Sequence, residues 1–245
     1  MGVWGRRPQR GCRGQSPLAF FPADKNPAVP YLTTMDDEAF DQALIASAFA
    51  LAARDGWTQV SVAAAAREAD LPLERARARF AGRDSMLLRF GRLADAAALT
   101  GALTEGSPRD RLFDVLMRRF DALQAHREGV IALMRALPAN PALALLLAAA
   151  TQTSMAWMLE ACGISSGGLR GVLRTKGLTA VWLYTARAWE SDESTDLSAT
   201  MAALDLALAR AERFGAWLEG DAGSAPKPFP EDPAAEPPPA EGVAA

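Results

Sequence analysis

The fold of this chain is decided by residues 57–80, WTQVSVAAAAREADLPLERARARF. Ser61 can cap a short alanine-rich helix, because its hydroxyl accepts a hydrogen bond from a free N–H of the first turn. Asp70-Leu71 breaks that helix, and Pro72 suits the first turn of the next one, where a missing N–H is tolerated. Two short helices joined this tightly predict a helix-turn-helix, an arrangement that holds one helix across a DNA groove.

A longer helix is predicted before this pair, from Asp37 to Arg54, and Gly56 is expected to end it in a left-handed conformation. Its inward side chains are predicted to be Ala43, Ala46, Phe49, Ala50 and Ala53. The base of the small core is expected to be filled by Trp57 and Val60. The inward side chains of the alanine-rich helix are predicted to be Val62, Ala65, Ala66 and Ala69. Those of the third helix, from Pro72 to Phe80, are predicted to be Leu73, Ala76 and Phe80.

Four arginines lie on the third helix and just after it: Arg75, Arg77, Arg79 and Arg83. The planar guanidinium can bind phosphate or guanine through two hydrogen bonds, which favours DNA contact. The alternative is a solvated face whose arginines pair with Glu74 and Asp84. We predict that the guanidinium groups between positions 75 and 83 point outward, on one side of the molecule.

These segments resemble the N-terminal domain of the tetracycline-repressor (TetR) family, in Gly56–Val62, Ala65-Ala66, Ala69–Pro72 and Phe80–Leu87. That family is all-helical and dimeric, with a helix-turn-helix head and a ligand-sensing C-terminal domain. The resemblance therefore implies a double-stranded DNA operator as partner, a homodimer and a small apolar effector. The candidate DNA-binding residues are Ser61, Arg67, Pro72, Arg75, Arg77, Arg79 and Arg83.

The chain departs from the TetR pattern at several positions of the head. Asp70 stands where the family usually has glycine, and aspartate can also adopt a left-handed or capping geometry. Pro72 replaces a capping serine. Arg77 and Arg79 replace the aromatic residue and the histidine near the phenylalanine, and Arg83 replaces a lysine. The tyrosine that grips phosphate is therefore absent, and arginine charge takes its place.

The composition predicts an all-α protein. Half of the 245 residues are hydrophobic, alanine and leucine dominate, and β-branched residues are sparse. We expect an N-terminal three-helix helix-turn-helix head and a C-terminal antiparallel helical bundle. The formal net charge is -3, so affinity for nucleic acid must come from a local basic patch.

Four segments are predicted along the chain. Residues 1–34 form a leader that is either disordered or mis-annotated, with Met35 as the true start. Residues 35–90 form a helix-turn-helix DNA-binding domain, and 91–220 form a helical ligand-binding and dimerisation domain. Residues 221–245 cannot bury enough apolar surface to fold and are predicted to be disordered.

Periodic apolar residues predict six further helices, from 83 to about 103, from 109, near 130–134, from 141 to 161, over 169–189 and over 196–218. The last two are candidates for a dimer interface. Its predicted seam consists of Val181, Tyr184, Ala188, Met201, Leu204, Leu208 and Ala211. Flexible and aromatic side chains are candidates for an apolar ligand pocket, although the same pattern is typical of ordinary core. These candidates are Met134, Met155, Trp157, Met158, Trp182 and Tyr184.

The segment from Ala136 to Leu159 carries no charge and is long enough to span a bilayer. Pro138 and Pro141 interrupt its start, and polar residues at 151–154 lie in its middle. We therefore predict a buried core helix and no integral membrane association.

The C-terminal half resembles a second family, the ubiquinone-biosynthesis accessory proteins that bind lipids. The similarity lies in Arg174–Leu178, Trp182–Tyr184 and Asp192–Ser194. Members of that family resemble the TetR fold but need not bind DNA. A lipid- or isoprenoid-binding accessory protein is therefore the alternative function.

The sequence carries no pattern of a catalytic or metal site. It contains one histidine, His126, and two distant cysteines, Cys12 and Cys162. We expect a surface histidine, a buried Cys162, a reducing cytoplasmic location, no metal or cofactor and no enzymatic activity. The predicted function is a dimeric TetR-type transcriptional regulator that responds to a small apolar ligand.

Overall fold

The computed structural model describes residues 35–223, with side chains as far as Arg213. The predicted leader, 1–34, and the tail beyond 223 lie outside these residues. Within them every regular element is helical, which confirms the all-α prediction. The α-helices are α1 (Asp37–Asp55), α2 (Val62–Glu68), α3 (Leu73–Arg79), α4 (Arg83–Leu99), α5 (Pro108–Gln124), α6 (Arg127–Ala136), α7 (Pro141–Ala161), α8 (Gly168–Ser191) and α9 (Ser198–Gly223).

The ends of the first helices follow from capping residues in the sequence. Ser61 Oγ accepts a hydrogen bond from the N–H of Ala64 at 3.1 Å, as predicted. Gly56 ends α1 with a φ of 85°, which favours glycine, and its N–H donates to Ala52 at 3.0 Å. Its ψ of 155° is extended, so Gly56 is not the left-handed helical residue that the sequence predicts.

Other helix ends also differ from the predicted ones. Pro72 precedes α3 rather than starting it, with an extended ψ of 121°. α4 ends at Leu99 instead of about Leu103, because the chain turns through Gly101 with a φ of 68°. α9 continues to Gly223 and so includes the first residues of the predicted tail.

The buried face of α1 differs from the predicted stripe. Phe49 is buried as predicted, whereas Ala50 and Ala53 are exposed. Apolar residues cover most of the circumference of this helix, so their spacing does not define one face. The bulky side chains decide which face is buried, because they remove more apolar area from water than alanine does. The buried residues of α1 are Phe40, Asp41, Leu44, Ile45, Ala48, Phe49, Leu51 and Ala52.

The helices after the head form a bundle around an aromatic core. α4 packs against α5 and α7, α7 packs against α8, and α8 packs along α9. Phe120 of α5 stacks on Trp182 of α8 with ring centroids 4.3 Å apart, and Trp189 is fully buried beside them. Stacked aromatic rings add to the stability that burial of such large side chains gives.

Part of the predicted dimer seam lies inside this bundle. Val181, Leu204 and Leu208 are at most 6% exposed, because α8 and α9 pack against each other within the chain. These residues are unavailable to a second subunit, so the predicted seam is wrong at these positions. The large apolar side chains that α8 and α9 expose are Leu169, Val172, Leu173, Leu183, Tyr184 and Leu206.

The prediction of a buried core helix at α7 is also wrong. Only 28% of the most apolar 18-residue stretch of this helix is buried. By length and composition alone the helix could cross a membrane. Leu145 and Trp157 are 73% and 63% exposed. One helix of this kind is weak evidence for a membrane span, because a helix that packs on a bundle can have the same length and the same apolar composition.

The two isolated residues His126 and Cys162 have different surroundings. His126 is half-buried rather than on the surface. Its ring stacks on Phe49 at 5.5 Å and meets Phe90 edge-on at 5.6 Å, and burial lowers its pKa. Cys162 is buried, as predicted, and burial raises the pKa of its thiol.

α1 packs closely on α6 because Gly129 has no side chain. A Cβ at this position would lie 2.3 Å from the backbone oxygen of Phe49. That distance is far inside van der Waals contact, so the two helices would have to separate to admit even a methyl group.

Replacing Gly129 by alanine is expected to destabilise the fold by about 1–3 kcal/mol, because a backbone oxygen cannot move aside as a flexible side chain can. The matched control is Gly177→Ala in α8, where a Cβ meets nothing within 4 Å. That control is expected to gain about 0.5–1 kcal/mol from helix propensity. Urea unfolding followed by tryptophan fluorescence measures both. Equal stability of the two variants would contradict the close α1–α6 contact.

Candidate nucleic-acid interface

The turn between α2 and α3 is held by Asp70 and Leu71. Asp70 has a φ of 52°, the left-handed one of the two geometries expected for it. The N–H of Leu71 donates to the carbonyl of Ala66 at 2.8 Å, and the side chain of Leu71 is buried. Ala65 and Ala66 are fully buried at the crossing of the helices. The predicted helix-turn-helix geometry is therefore present.

One face of α3 lies against the core of the head. Ala76 and Phe80 are buried as predicted, whereas Leu73 is 45% exposed, so its predicted burial is wrong. Leu73 begins the helix and lies at a groove of about 420 Å³ between α2 and α3. Arg77 and Arg83 contribute to the wall of the same groove.

Arg75 and Arg79 do not point outward, contrary to the prediction. Arg75 Nη2 donates to Asp37 Oδ1 at 2.8 Å, and its guanidinium lies 4.4 Å over the ring of Phe40. Arg79 Nη2 donates to Asp41 Oδ2 at 2.8 Å, and Nη1 pairs with Asp37. Both carboxylates belong to α1. These two arginines therefore attach α3 to α1.

Asp41 is the centre of this attachment. Its side chain is 2% exposed and accepts hydrogen bonds from Arg79 of α3 and from Arg89 Nε of α4, the latter at 2.9 Å. Burial raises the pKa of Asp41, but the hydrogen bonds from the two guanidinium groups outweigh burial and hold the pKa below its ordinary value. One residue of α1 thus fixes the orientation of both α3 and α4.

The outward face of α3 carries Glu74, Arg77 and Ala78, which are all exposed. Neither Glu74 nor Arg77 forms a hydrogen bond or an ion pair through its side chain with any residue that the structure describes. Arg83 Nε lies 3.8 Å from Asp84, a distance typical of a weak surface pair. Of the pairs in the alternative of a solvated face, the one between Arg83 and Asp84 is therefore present, whereas none with Glu74 is found among the described residues.

The remaining candidates lie on α2 and in the turn. Ser61 and Arg67 are exposed, and Pro72 is half-buried before α3. The structure brings Ser61 together with Arg77 and Arg83 at one groove. Among the candidate DNA-binding residues, Arg75 and Arg79 are separated from this group because they face α1.

Sequence reasoning missed Asp37 and Asp41 as the partners of these arginines. A signal is present in the spacing: the carboxylates lie at i and i+4 on α1, and Arg75 and Arg79 lie at i and i+4 on α3. Residues at this spacing share a helix face. Two matched pairs on neighbouring helices can therefore form a double ion pair.

A second buried ion pair, also missed, lies in the bundle. Arg119 of α5 is 6% exposed, and its Nε donates to Asp95 Oδ1 of α4 at 2.8 Å. Ser154 of α7 donates to the other oxygen of Asp95 at 2.6 Å. The Arg119 guanidinium lies 4.5 Å over the ring of Trp182. Burial lowers the pKa of Arg119. This network joins α4, α5, α7 and α8 through satisfied polar contacts.

The predicted ligand-pocket candidates fall in different environments. The buried ones are Met155, Met158 and Trp182, the exposed ones are Trp157 and Tyr184, and the half-buried one is Met134. The buried side chains are part of the core of the bundle. A ligand pocket shared by all six stays a prediction.

The chain is similar in structure to known transcriptional regulators, although no protein-family model and no curated protein matches it. The TetR transcriptional regulator from Nitrosomonas europaea ATCC 19718 is similar over 71% of this chain and 98% of its own, with 22% identity and a TM-score of 0.59. A tetR-family transcriptional regulator from Streptomyces coelicolor is similar over 77% of this chain and 87% of its own, with 21% identity and a TM-score of 0.55. The chain has the TetR fold. The predicted resemblance of its head is thereby confirmed, whereas these comparisons do not support the resemblance to the ubiquinone-biosynthesis accessory family.

Replacing Asp41 by asparagine is expected to destabilise this TetR-fold protein by about 3 kcal/mol, because removing one partner leaves Arg79 and Arg89 without their shared carboxylate. The control is Asp55→Asn, which removes an exposed ion pair with Arg54 and is expected to cost less than about 1 kcal/mol. Chemical unfolding of both variants and the wild type measures the difference. Equal losses in the two variants would contradict the central position of Asp41.

The contribution of Asp41 is also expected to depend on pH. A carboxylate whose pKa is lowered in the folded state stabilises the fold above its unfolded pKa of about 3.9. That contribution is lost as the pH falls through the folded pKa. The free-energy difference between wild type and Asp41→Asn should therefore stay constant between pH 7 and pH 5 and shrink below about pH 4. A difference that already shrinks above pH 5 would show that another group is responsible.

Proposed function

We propose that this protein is a cytoplasmic, dimeric transcriptional regulator that binds a double-stranded DNA operator through α2 and α3. The observation that carries the proposal is the exposed Arg77, without an ion pair in the described part of the chain, on a helix whose orientation Asp41 fixes. A rigidly held helix with a free guanidinium on its outward face is suited to a DNA groove. Residues 35–90 are assigned to DNA binding and 91–220 to dimerisation and ligand binding.

The DNA contacts are assigned to the exposed residues of this surface. Arg77 binds phosphate or guanine, because it extends from the outward side of α3. Arg83, Arg67 and Ser61 contact the phosphate backbone at the edges of the surface. Arg75 and Arg79 position α3 through Asp37 and Asp41 instead of touching DNA.

Dimerisation is assigned to the exposed apolar face of α8. Leu169, Leu173 and Tyr184 lie at i, i+4 and i+15, which places them on one side of the helix. They are 78%, 51% and 47% exposed. The exposed Lys176 and Arg187 lie on the same side of α8. Large exposed apolar side chains among polar ones are typical of interfaces. A two-fold pairing of this face would present two copies of α3 to DNA.

Replacing Arg77 by alanine is expected to weaken DNA binding about tenfold and to reduce the salt dependence of the affinity by about one phosphate contact. The matched control is Arg135→Ala on α6, where the arginine side chain is 74% exposed and lies outside the proposed surface. Fluorescence anisotropy with duplex DNA from upstream of the protein's own gene, at several salt concentrations, measures both. Equal affinities for Arg77→Ala and wild type would contradict the assignment of Arg77.

Replacing Leu173 by glutamate is expected to produce a monomer, because a charge would be buried at the centre of the proposed interface. The control is Leu145→Glu on α7, a site that is 73% exposed and outside that interface, and it should remain dimeric. Light scattering during size-exclusion chromatography gives the mass of each variant. A dimer for Leu173→Glu together with a monomer for Leu145→Glu would contradict the assignment to α8 and show that the interface is on α7.

A lipid- or isoprenoid-binding accessory protein is the second candidate function. It is favoured by the apolar face of α7, which the described residues leave uncovered at Leu145 and Trp157. A lipid chain or lipid surface could cover this face. A folded wild-type protein that fails to bind DNA at low salt, and that carries a co-purified lipid in native mass spectrometry, would favour this function over the regulator.

Response to a small apolar ligand is part of the proposed regulator. Met155, Met158 and Trp182 are the candidates in the bundle core. Met side chains adapt to apolar ligands of varied shape. An effector that binds these residues would act on α4, because Asp95 of α4 belongs to the same core through Arg119.

A further inference from the structure

We propose that Glu74 selects a cytosine in each half-site of the operator, by accepting a hydrogen bond from the N4 amine of that base in the major groove. The inference rests on the DNA-binding function proposed above. It concerns the one acidic side chain on the outward face of α3.

Glu74 points almost directly away from the core of the head. Successive residues of a helix are rotated by about 100°, so Glu74 and Ala78 both lie about 160° from the buried Ala76. Arg77 lies on one flank of this outward line. Arg75 lies on the other flank, where Asp37 holds it. When α3 enters a groove with its outward face, Glu74 and the short Ala78 are therefore at the centre of the contact.

The charge of Glu74 is not neutralised within the described part of the protein. Its side chain has no ion pair there, and the adjacent Arg75 is bonded to α1. A carboxylate brought between two phosphate backbones is repelled by them. Glu74 therefore opposes DNA binding in general unless a base donates a hydrogen bond to it.

The chemistry of base edges restricts which base can donate. In the major groove the amines of cytosine N4 and adenine N6 are the donors. Adenine places its N7 acceptor beside N6, where it would repel the second carboxylate oxygen, whereas the edge of cytosine carries only the donor. Residues near the N-terminus of a recognition helix contact base edges rather than phosphates. Glu74 is in the first turn of α3, so the geometry favours cytosine.

The specificity follows from combining repulsion with one favourable contact. At a cytosine, the hydrogen bond offsets the repulsion by the phosphates. At any other base the repulsion remains, so discrimination comes from weak binding to wrong sequences as well as from binding to the right one.

The test is a selection of bound duplexes from a pool with a randomised segment of about 24 base pairs, enough for two half-sites one turn apart. Full-length wild type should enrich a cytosine at one position of each half-site. Glu74→Gln should change that preference from cytosine to adenine by about tenfold, because glutamine binds adenine N6 and N7 together. Glu74→Ala should lose the preference there and bind duplexes with any other base at that position more tightly than wild type does.

The matched control is Asp55→Asn, which removes one negative charge from an exposed position of the head. It should leave the selected sequence unchanged. If the Glu74 variants select the same bases as wild type, the inference is overturned while the regulator function stands. If folded wild type enriches no sequence, the DNA-binding function is overturned, and the inference with it. Circular dichroism of each variant confirms that it is folded.

Discussion

The carboxylate of Asp41 is the constraint on which the geometry of the head depends. It is buried on α1 and receives guanidinium groups from α3 and α4 at once. Apolar contacts between α1, α3 and α4 have no preferred direction, so by themselves they restrict the relative rotation of these helices only loosely. A buried, hydrogen-bonded charge specifies orientation more strictly than alanine packing does, because any rotation leaves the charge without a partner.

This attachment divides the arginines of α3 into two groups with different tasks. Arg75 and Arg79 are bonded to α1, and Arg77 is left on the exposed side beside Glu74. The surface that could face DNA is thus less positive than the sequence indicates. Its affinity would depend on few phosphate contacts, and its selectivity on the single acidic side chain at its centre.

α4 connects the head to the bundle through polar contacts at two positions along its length. Its Arg89 binds Asp41 in the head, and its Asp95 binds Arg119 and Ser154 in the bundle. The carboxylate is buried at Asp41 and half-buried at Asp95. A movement of α4 along its axis would disturb both sets of hydrogen bonds. The bundle itself covers only one face of α7 and one face of α8, which leaves two apolar surfaces uncovered by the described residues.

The sequence by itself determined the helical class, the cap at Ser61, the left-handed Asp70 and the core positions of Ala76 and Phe80, because these depend on local backbone chemistry and on spacing within one helix. The tertiary structure decided what spacing within a helix does not specify. The direction of Arg75 and Arg79 depends on carboxylates about forty positions earlier in the chain. The buried face of α1, the exposure of α7 and the burial of Leu204 and Leu208 depend on which neighbouring helices cover them. The spacing in a single sequence shows which residues share a helix face, but not which faces of distant helices meet, so only the packed structure reveals these contacts.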